Sequence, residues 1–375
     1  MVRASFALMQ RMSIDTLFEP ANLAGLALPN RFAMAPMTRQ FSPGGVPGED
    51  VADYYARRSA AGIGLIITEG TYVDHPSAGN TPRVPDFFGA EAAAGWKRVA
   101  ERVHAAGGLI VPQLWHVGIN RDTRNGAGSP DLTFSPSAIS LKGRDHGHAM
   151  TTQDIDDLVA SYARGAVLAQ ELGFDGAEIH AAHGYLIDQF LWKFTNRRTD
   201  SYGGEAAARA RFGAEIVAAI RSAVGPDFPI IFRFSQWKGG HYDAKSADTP
   251  DELDALLTPI SDAGASIFHP STRRFWLPEF DGSDLTLAGW AKQITGKPVI
   301  AVGSVGLGGA YEPGADVRVP TSDLTKVGEI FDRGEFDLVA VGRALLANYD
   351  WAEKVRTQRS EELRAYSHEL ESVLH

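Results

Sequence analysis

Two imidazoles and a phenol fall within six residues of one another in His180-Ala181-Ala182-His183-Gly184-Tyr185. A spacing of three suits a pair of metal ligands, but a zinc site takes a third protein ligand, and the chain has no cysteine and no evident carboxylate motif to complete one. No metal centre is therefore expected. Tyr185 has the chemistry of an acid, since an ordinary phenol, with a pKa of about 10, holds its proton at neutral pH and can pass it to a carbanion-like centre. The lesser alternative is a structural tyrosine closing the turn after Gly184. Elsewhere, single polar residues interrupt apolar runs. Gln113 follows Leu-Ile-Val-Pro, Arg233 stands among Ile and Phe, and Gly303-Ser304 and Gly342-Arg343 end two further runs. Glycine admits close backbone approach and Arg343 adds a forked cation, so these two pairs suit a phosphate. Taken singly, Gln113 and Arg233 are as compatible with satisfied polar residues of a core, and Gly342-Arg343 with a helix start.

The surrounding elements repeat one unit: a short apolar run, a loop, then a segment of helical period. The runs are 31–35, 65–68, 109–113, 176–180, 230–234, 266–269, 299–302 and 338–341. Between them Ile155, Leu158, Val159, Tyr162 and Ala166 recur at steps of three and four, and Thr151 with Asp154 marks a helix start. Eight such units predict parallel βα architecture, and without a break in composition they favour a closed (β/α)8 TIM barrel over an open doubly wound sheet, as one domain over residues 12–375. A barrel turns the C-terminal ends of its strands toward one cavity, and the polar residues above lie at such ends. Two long loops, 118–150 and 270–284, leave the same face.

With 44% hydrophobic and 22% charged residues, the 375-residue chain has globular composition. A net charge of -10 disfavours nucleic acid and anionic membranes, which want a basic face, and leaves a small molecule as the expected partner. The absence of cysteine excludes disulfides, thiolate-bound metal and cysteine nucleophiles, and fits a cytoplasmic address. Residues 1–11 carry only the apolar run Phe6-Ala7-Leu8-Met9 and no small-residue cleavage site, so a disordered extension is expected there rather than a signal peptide. No run of about 18 apolar residues predicts a membrane span. A homo-oligomer is left open.

In chain order, Ala35-Pro36-Met37-Thr38, Thr68-Glu69-Gly70-Thr71, Gln113-Leu114-Trp115-His116, the His180 to Tyr185 segment, Asn-Arg-Arg-Thr-Asp-Ser-Tyr-Gly-Gly from Asn196, Phe232-Arg233-Phe234, Gly303-Ser304 and Gly342-Arg343 form a series. The series closely resembles the Old Yellow Enzyme family of FMN-dependent reductases along nearly the whole chain. The resemblance implies FMN as cofactor, NADPH or NADH as co-substrate and an activated alkene as the molecule reduced. It assigns the FMN phosphate to Gly303, Ser304, Gly342 and Arg343, the flavin N1 and O2 to Arg233, the pyrimidine edge to Gln113 and the O4 region to Thr38. Ala35, Pro36, Met37 and Gly70 would supply close backbone packing. His180 and His183 would grip the carbonyl or nitro oxygen of the alkene, Tyr185 would protonate its α-carbon, and Trp115 would shape the pocket, with Trp276 a further wall.

Several positions depart from the family's pattern. His183 stands where many members carry Asn, Thr38 where some carry Cys, Gln40 where others place a substrate-contacting Tyr, and Tyr349 where Pro is usual. The loop 270–280, with Arg273, Arg274, Phe275 and Trp276, is expected to cap the pocket or to meet the nucleotide phosphates. The implied cycle is ping-pong, both half-reactions using one cavity. A flavin-binding sensor or store of redox equivalents is the alternative.

Overall fold

The computed structural model describes residues 14–122, 130–308, 317–318 and 323–375. The extension expected over residues 1–11 lies outside the described residues, as do positions 123–129 of the loop after the third strand. Eight parallel strands close into a barrel in chain order: β1 (Phe32–Met34), β2 (Leu65–Tyr72), β3 (Leu109–Trp115), β4 (Ala177–His183), β5 (Ile230–Lys238), β6 (Ile267–Ser271), β7 (Ile300–Val302) and β8 (Leu338–Val341). β8 pairs with β1, so the sheet has no edge and the open alternative does not apply. Helices cross between the strands: α1 (Glu49–Ala60), α2 (Ala90–Ala105), α3 (Thr152–Glu171), α4 (Leu186–Leu191), α5 (Ala206–Val224), α6 (Pro250–Asp262), α7 (Leu287–Thr295) and α8 (Thr325–Asp332). Among the described residues no helix is long and apolar enough to cross a membrane.

Alternation along the strands splits the apolar residues into two cores. Phe32, Ile66, Ile110, Ile179 and Phe232 face the helices, while Leu65, Ile67, Val111, Ile231, Ile267 and Leu338 fill the barrel. A hairpin of Ala21–Leu23 and Leu26–Leu28 precedes β1, and its Leu26 and Leu28 join the inner core, sealing the end of the barrel where the strands begin. Two residues further along β3, β5 and β6, the inward positions turn polar: Val111 gives way to Gln113, Ile231 to Arg233 and Ile267 to His269, with Glu178 of β4 beside them. All four are buried.

Five strands run beyond their apolar stretches. β2 reaches Tyr72, β3 Trp115, β4 His183, β5 Lys238 and β6 Ser271, where hydrophobicity alone ends them at 68, 113, 180, 234 and 269. Ladder hydrogen bonds do not require apolar side chains, and two register shifts, at Ile67/Gly70 and Ala181/His183, carry pairing into the polar ends.

Helix α3 starts as its sequence specifies: the Thr151 hydroxyl accepts from the Asp154 N–H and the Asp154 carboxylate accepts from the Thr151 N–H. Thr151→Ala should therefore lower stability by about 1 kcal/mol, read as a lower urea midpoint with an unchanged slope.

Candidate active site

β4 delivers both histidines, by different means. His180 follows Glu178 by two residues and faces the same way; His183, three residues on, would face the helices in a regular strand. The register shift after Ala181 re-aims it, bringing the two imidazoles to 5.2 Å between centroids. The shift requires His183 at φ +65° and Gly184 at +82°. A left-handed non-glycine residue costs roughly 1–2 kcal/mol, and the structure holds this one from several sides. The His183 N–H donates to Ser235 Oγ at 2.9 Å and the Gly184 N–H to Asp188 Oδ2 at 2.6 Å, while Gln189 and Asn120 both donate to the Gly184 carbonyl. Tyr185 then caps α4, its ring 5.0 Å from that of His180 and 4.9 Å from that of Trp115. Trp115 stacks on His180 at 6.0 Å. These four sequence-identified residues thus form one cluster.

Their protonation states follow from burial. Both imidazoles are held well below the usual histidine range, first by desolvation and then by neighbouring groups that oppose a second positive charge, the Arg233 guanidinium among them for each. Both are neutral at pH 7. The Ala182 N–H donates to His180 Nδ1, so His180 carries its proton on Nε2. Ser271 Oγ lies 2.8 Å from His183 Nε2 and accepts from Arg233 Nη2 at 3.3 Å. Arg233 can only donate, so Ser271 Oγ accepts from it and keeps a second lone pair and its own proton for His183 Nε2, a contact that either neutral imidazole tautomer makes. Burial raises the Tyr185 pKa, so its proton stays in place.

Below the cluster lies the polar layer of the barrel. Gln113 Nε2 donates to Glu178 Oε1 at 2.8 Å and His269 Nδ1 lies 2.6 Å from Glu178 Oε2. Arg233 Nη1 is 3.9 Å from Glu178. Among the described residues, Arg233 Nε and Nη1, His269 Nε2 and Trp115 Nε1 are buried without a hydrogen-bond partner. Unsatisfied buried polar groups cost about 1–3 kcal/mol each, so this much unused capacity at the strand ends marks a candidate binding surface. Its floor is made of small residues: a Cβ on Gly342 would meet only Met37 Sδ and Ala35 Cβ, at 3.7 and 3.8 Å. Pro36 is half-buried beside them and Thr38 is exposed. Gly70 is compressed against the Trp115 indole, where a Cβ would fall 2.6 Å from the ring.

At the ends of β7 and β8, Gly303 has φ +151°, and a Cβ there would strike Thr272 at 2.5 Å. Ser304 Oγ donates to the Arg273 carbonyl, tying β7 to the loop after β6. Arg343 follows β8, with Nε 3.7 Å from Glu371. Trp276 is not brought to the histidines; it packs on Phe275 with Lys326 over its ring at 4.6 Å. The place beside His183 goes to Trp237, stacked at 4.3 Å. Trp237 and Ser271, with Tyr242, Lys245, Arg273 and Glu279, line a cavity of about 370 Å³.

Sequence reasoning passed over Trp237, Glu178, His269 and two carboxylate clamps. Lys238 and Asp188 form an ion pair at 2.7 Å with both side chains fully buried, and Asp188 is the residue that holds the Gly184 N–H. The signal available was a lysine closing an apolar strand. Lys238→Met should cost about 3–5 kcal/mol by leaving Asp188 buried and unpaired. Adding Asp188→Asn should recover much of it, which urea unfolding of the two variants checks. Glu69 Oε2 accepts from the Arg39 and Gln40 N–H groups, pinning the segment after Thr38. Burial nevertheless raises its pKa from 4.5 to about 7. The folded chain then keeps a proton that the unfolded chain releases, so the contribution to stability is full below about pH 4.5 and is lost as pH rises through about 7. Glu69→Gln should flatten the pH dependence of the unfolding free energy across that window.

Comparison with known proteins accords with this arrangement. The model of the NADH:flavin oxidoreductase / NADH oxidase family matches residues 16–362. The chain is 33% identical over 359 residues to an NADH oxidase of Thermoanaerobacter brockii, covering 93% of this chain and 52% of that protein. It is 40% identical over 230 residues to 12-oxophytodienoate reductase 7 of Oryza sativa subsp. japonica, 58% of each chain. The chain thus spans only about half the length of these relatives. A chanoclavine-I aldehyde reductase of Penicillium roqueforti is 33% identical and is covered to 87%. Among solved structures, a morphinone reductase variant in complex with tetrahydroNAD superposes with a TM-score of 0.74 at 31% identity, over 94% of this chain and 92% of that one. Family match, barrel and strand-end residues agree: the chain belongs to the NADH:flavin oxidoreductase / NADH oxidase family, the Old Yellow Enzyme family of FMN-dependent oxidoreductases.

Proposed function

We propose that the chain is an FMN-dependent NAD(P)H oxidoreductase that reduces the C=C bond of activated alkenes, α,β-unsaturated carbonyl or nitro compounds, in a ping-pong cycle. The observation that carries this reading is the convergence of two neutral, proton-bearing imidazoles and one protonated phenol above buried, unused donors of Arg233. FMN suits that surface: Gln113 and Arg233 would meet its pyrimidine side, Ala35, Pro36, Met37, Thr38 and Gly70 its ring, and Gly303, Ser304, Gly342 and Arg343 its phosphate. When bound, it accepts a hydride from the nicotinamide and passes one on to the alkene.

The chain's own residues supply the rest. His180 Nε2–H and the neutral imidazole of His183 donate to the oxygen of the alkene, withdrawing electron density from the double bond. Being neutral, they stabilise negative charge on that oxygen without surrendering a proton to it. Tyr185 holds its proton until charge develops on the α-carbon, then releases it there. Trp115 and Trp237 wall the histidines on two sides and exclude water. The cavity beyond Trp237 has the position to receive the distal part of either substrate.

Tyr185→Phe separates the two half-reactions. Passage of hydride from nicotinamide to flavin needs no proton from Tyr185, so reduction by NADPH should stay within a few-fold of the unsubstituted protein. Reoxidation by cyclohexenone should slow by roughly 10²- to 10⁴-fold, with affinity little changed because the ring remains. Rapid mixing resolves the two steps; equal slowing of both, or of neither, would remove Tyr185 from the mechanism.

A further inference from the structure

The buried carboxylate of Glu178 has no place in the chemistry above, yet three functional or orphaned groups converge on it. Gln113 Nε2 reaches Oε1 at 2.8 Å, His269 Nδ1 reaches Oε2 at 2.6 Å, and Arg233 Nη1 stands 3.9 Å from Oε1. Glu178 and His269 are wholly buried. We propose that Glu178, anchored by His269, is a positioning and charge-balancing residue that sets how strongly the barrel favours reduced over oxidised FMN. The inference rests on the reading that Arg233 and Gln113 face the flavin.

The geometry separates charge from hydrogen bonding. An arginine that served only as the partner of Glu178 would turn its fork to the carboxylate and fill both oxygens at hydrogen-bond distance. Here those oxygens are filled by Gln113 and His269, and Arg233 keeps Nε and Nη1 unused. Glu178 therefore balances the arginine's charge without consuming its donors. Desolvation holds His269 below the usual histidine range, so the imidazole adds a donor and no charge. The layer as a whole is neutral, one carboxylate against one guanidinium. Gln113 is also fixed: with Nε2 committed to Glu178, which can only accept while ionised, its Oε1 points elsewhere and is free to accept.

Removing the carboxylate charge would leave a net positive layer under the flavin. A unit charge removed from a buried layer beside a bound cofactor changes an equilibrium about tenfold or more, and the sign favours the ring form with more negative charge. In Glu178→Gln the ratio of affinities for reduced over oxidised FMN should rise at least about tenfold, which is about 30 mV for a two-electron couple. Glu178→Asp keeps the charge but is a methylene too short to span Gln113 and His269. Its ratio should stay near that of the unsubstituted holoenzyme while FMN binds more weakly.

Potentiometric titration of each holoenzyme against a reference dye, with FMN release followed by fluorescence, reads both quantities without turnover. An unchanged ratio in Glu178→Gln, or an equal rise in Glu178→Asp, overturns the proposal. Should Glu178→Gln fail to fold because Arg233 is left unpaired, Glu178→Asp, which keeps the charge, carries the test: its ratio is expected to stay near that of the unsubstituted holoenzyme with FMN bound more weakly, and a rise of about tenfold overturns the proposal. Failure of the functional reading is separable: an unsubstituted protein that purifies without FMN, or that leaves cyclohexenone unreduced, defeats that reading, whereas a yellow, enone-reducing protein with an unresponsive ratio defeats only this one.

Discussion

An unpartnered polar group is costly inside a closed barrel, and the molecule is organised around the height at which its interior stops being apolar. Below that height Leu65, Ile67, Ile231, Ile267 and Leu338 fill the lumen, and Leu26 and Leu28 seal it. Above it Gln113, Glu178, Arg233 and His269 occupy the inward positions, and they satisfy one another only in part. An isolated buried carboxylate or guanidinium would be strongly disfavoured. Held together, they keep donors pointing at the mouth of the barrel, and that residual capacity turns a structural layer into a binding surface.

The second constraint is local and strained. Placing two imidazoles side by side on one strand three residues apart demands a break in alternation, and the break puts a histidine at positive φ. Nothing in the intrinsic preferences of histidine holds that conformation. It is over-determined by Ser235, Asp188, Gln189 and Asn120, and Asp188 in turn is held by Lys238 from the neighbouring strand. Backbone strain at the proposed chemical centre is thus supported by a buried ion pair several residues removed from it.

Much of this was legible in the sequence, for reasons that also mark its limits. Continuous apolar runs such as Ile230 to Phe232 expose a barrel strand because burial on both faces dominates its composition, and β8 was bounded correctly at both ends. The extension of β2 to β6 past those runs was not legible, because polar residues pair in a ladder without any hydrophobic signature. His180, His183, Tyr185 and Trp115 were found because they are close in sequence or follow a recognisable motif, and the fold brings them together. Trp237 and His269 were passed over because their importance arises from contacts between strands. Trp276, an aromatic on the expected loop, faces Lys326, since composition says nothing of which way a loop turns.

Closure of the barrel has a consequence for how the chain comes to exist. The last seam, β8 against β1, joins Leu338–Val341 to Phe32–Met34, two of the shortest strands in the ring and roughly the full chain apart in sequence. Until that seam forms, both flanks of a largely apolar sheet present unpaired N–H and C=O groups, the template on which chains join edge to edge. Synthesis from the ribosome proceeds residue by residue, so the N-terminal strands must wait for nearly all the others before any flank disappears. The hazard of misassembly therefore falls in the interval before β8 emerges, and a nascent chain interrupted there retains two adhesive borders that the finished protein does not have.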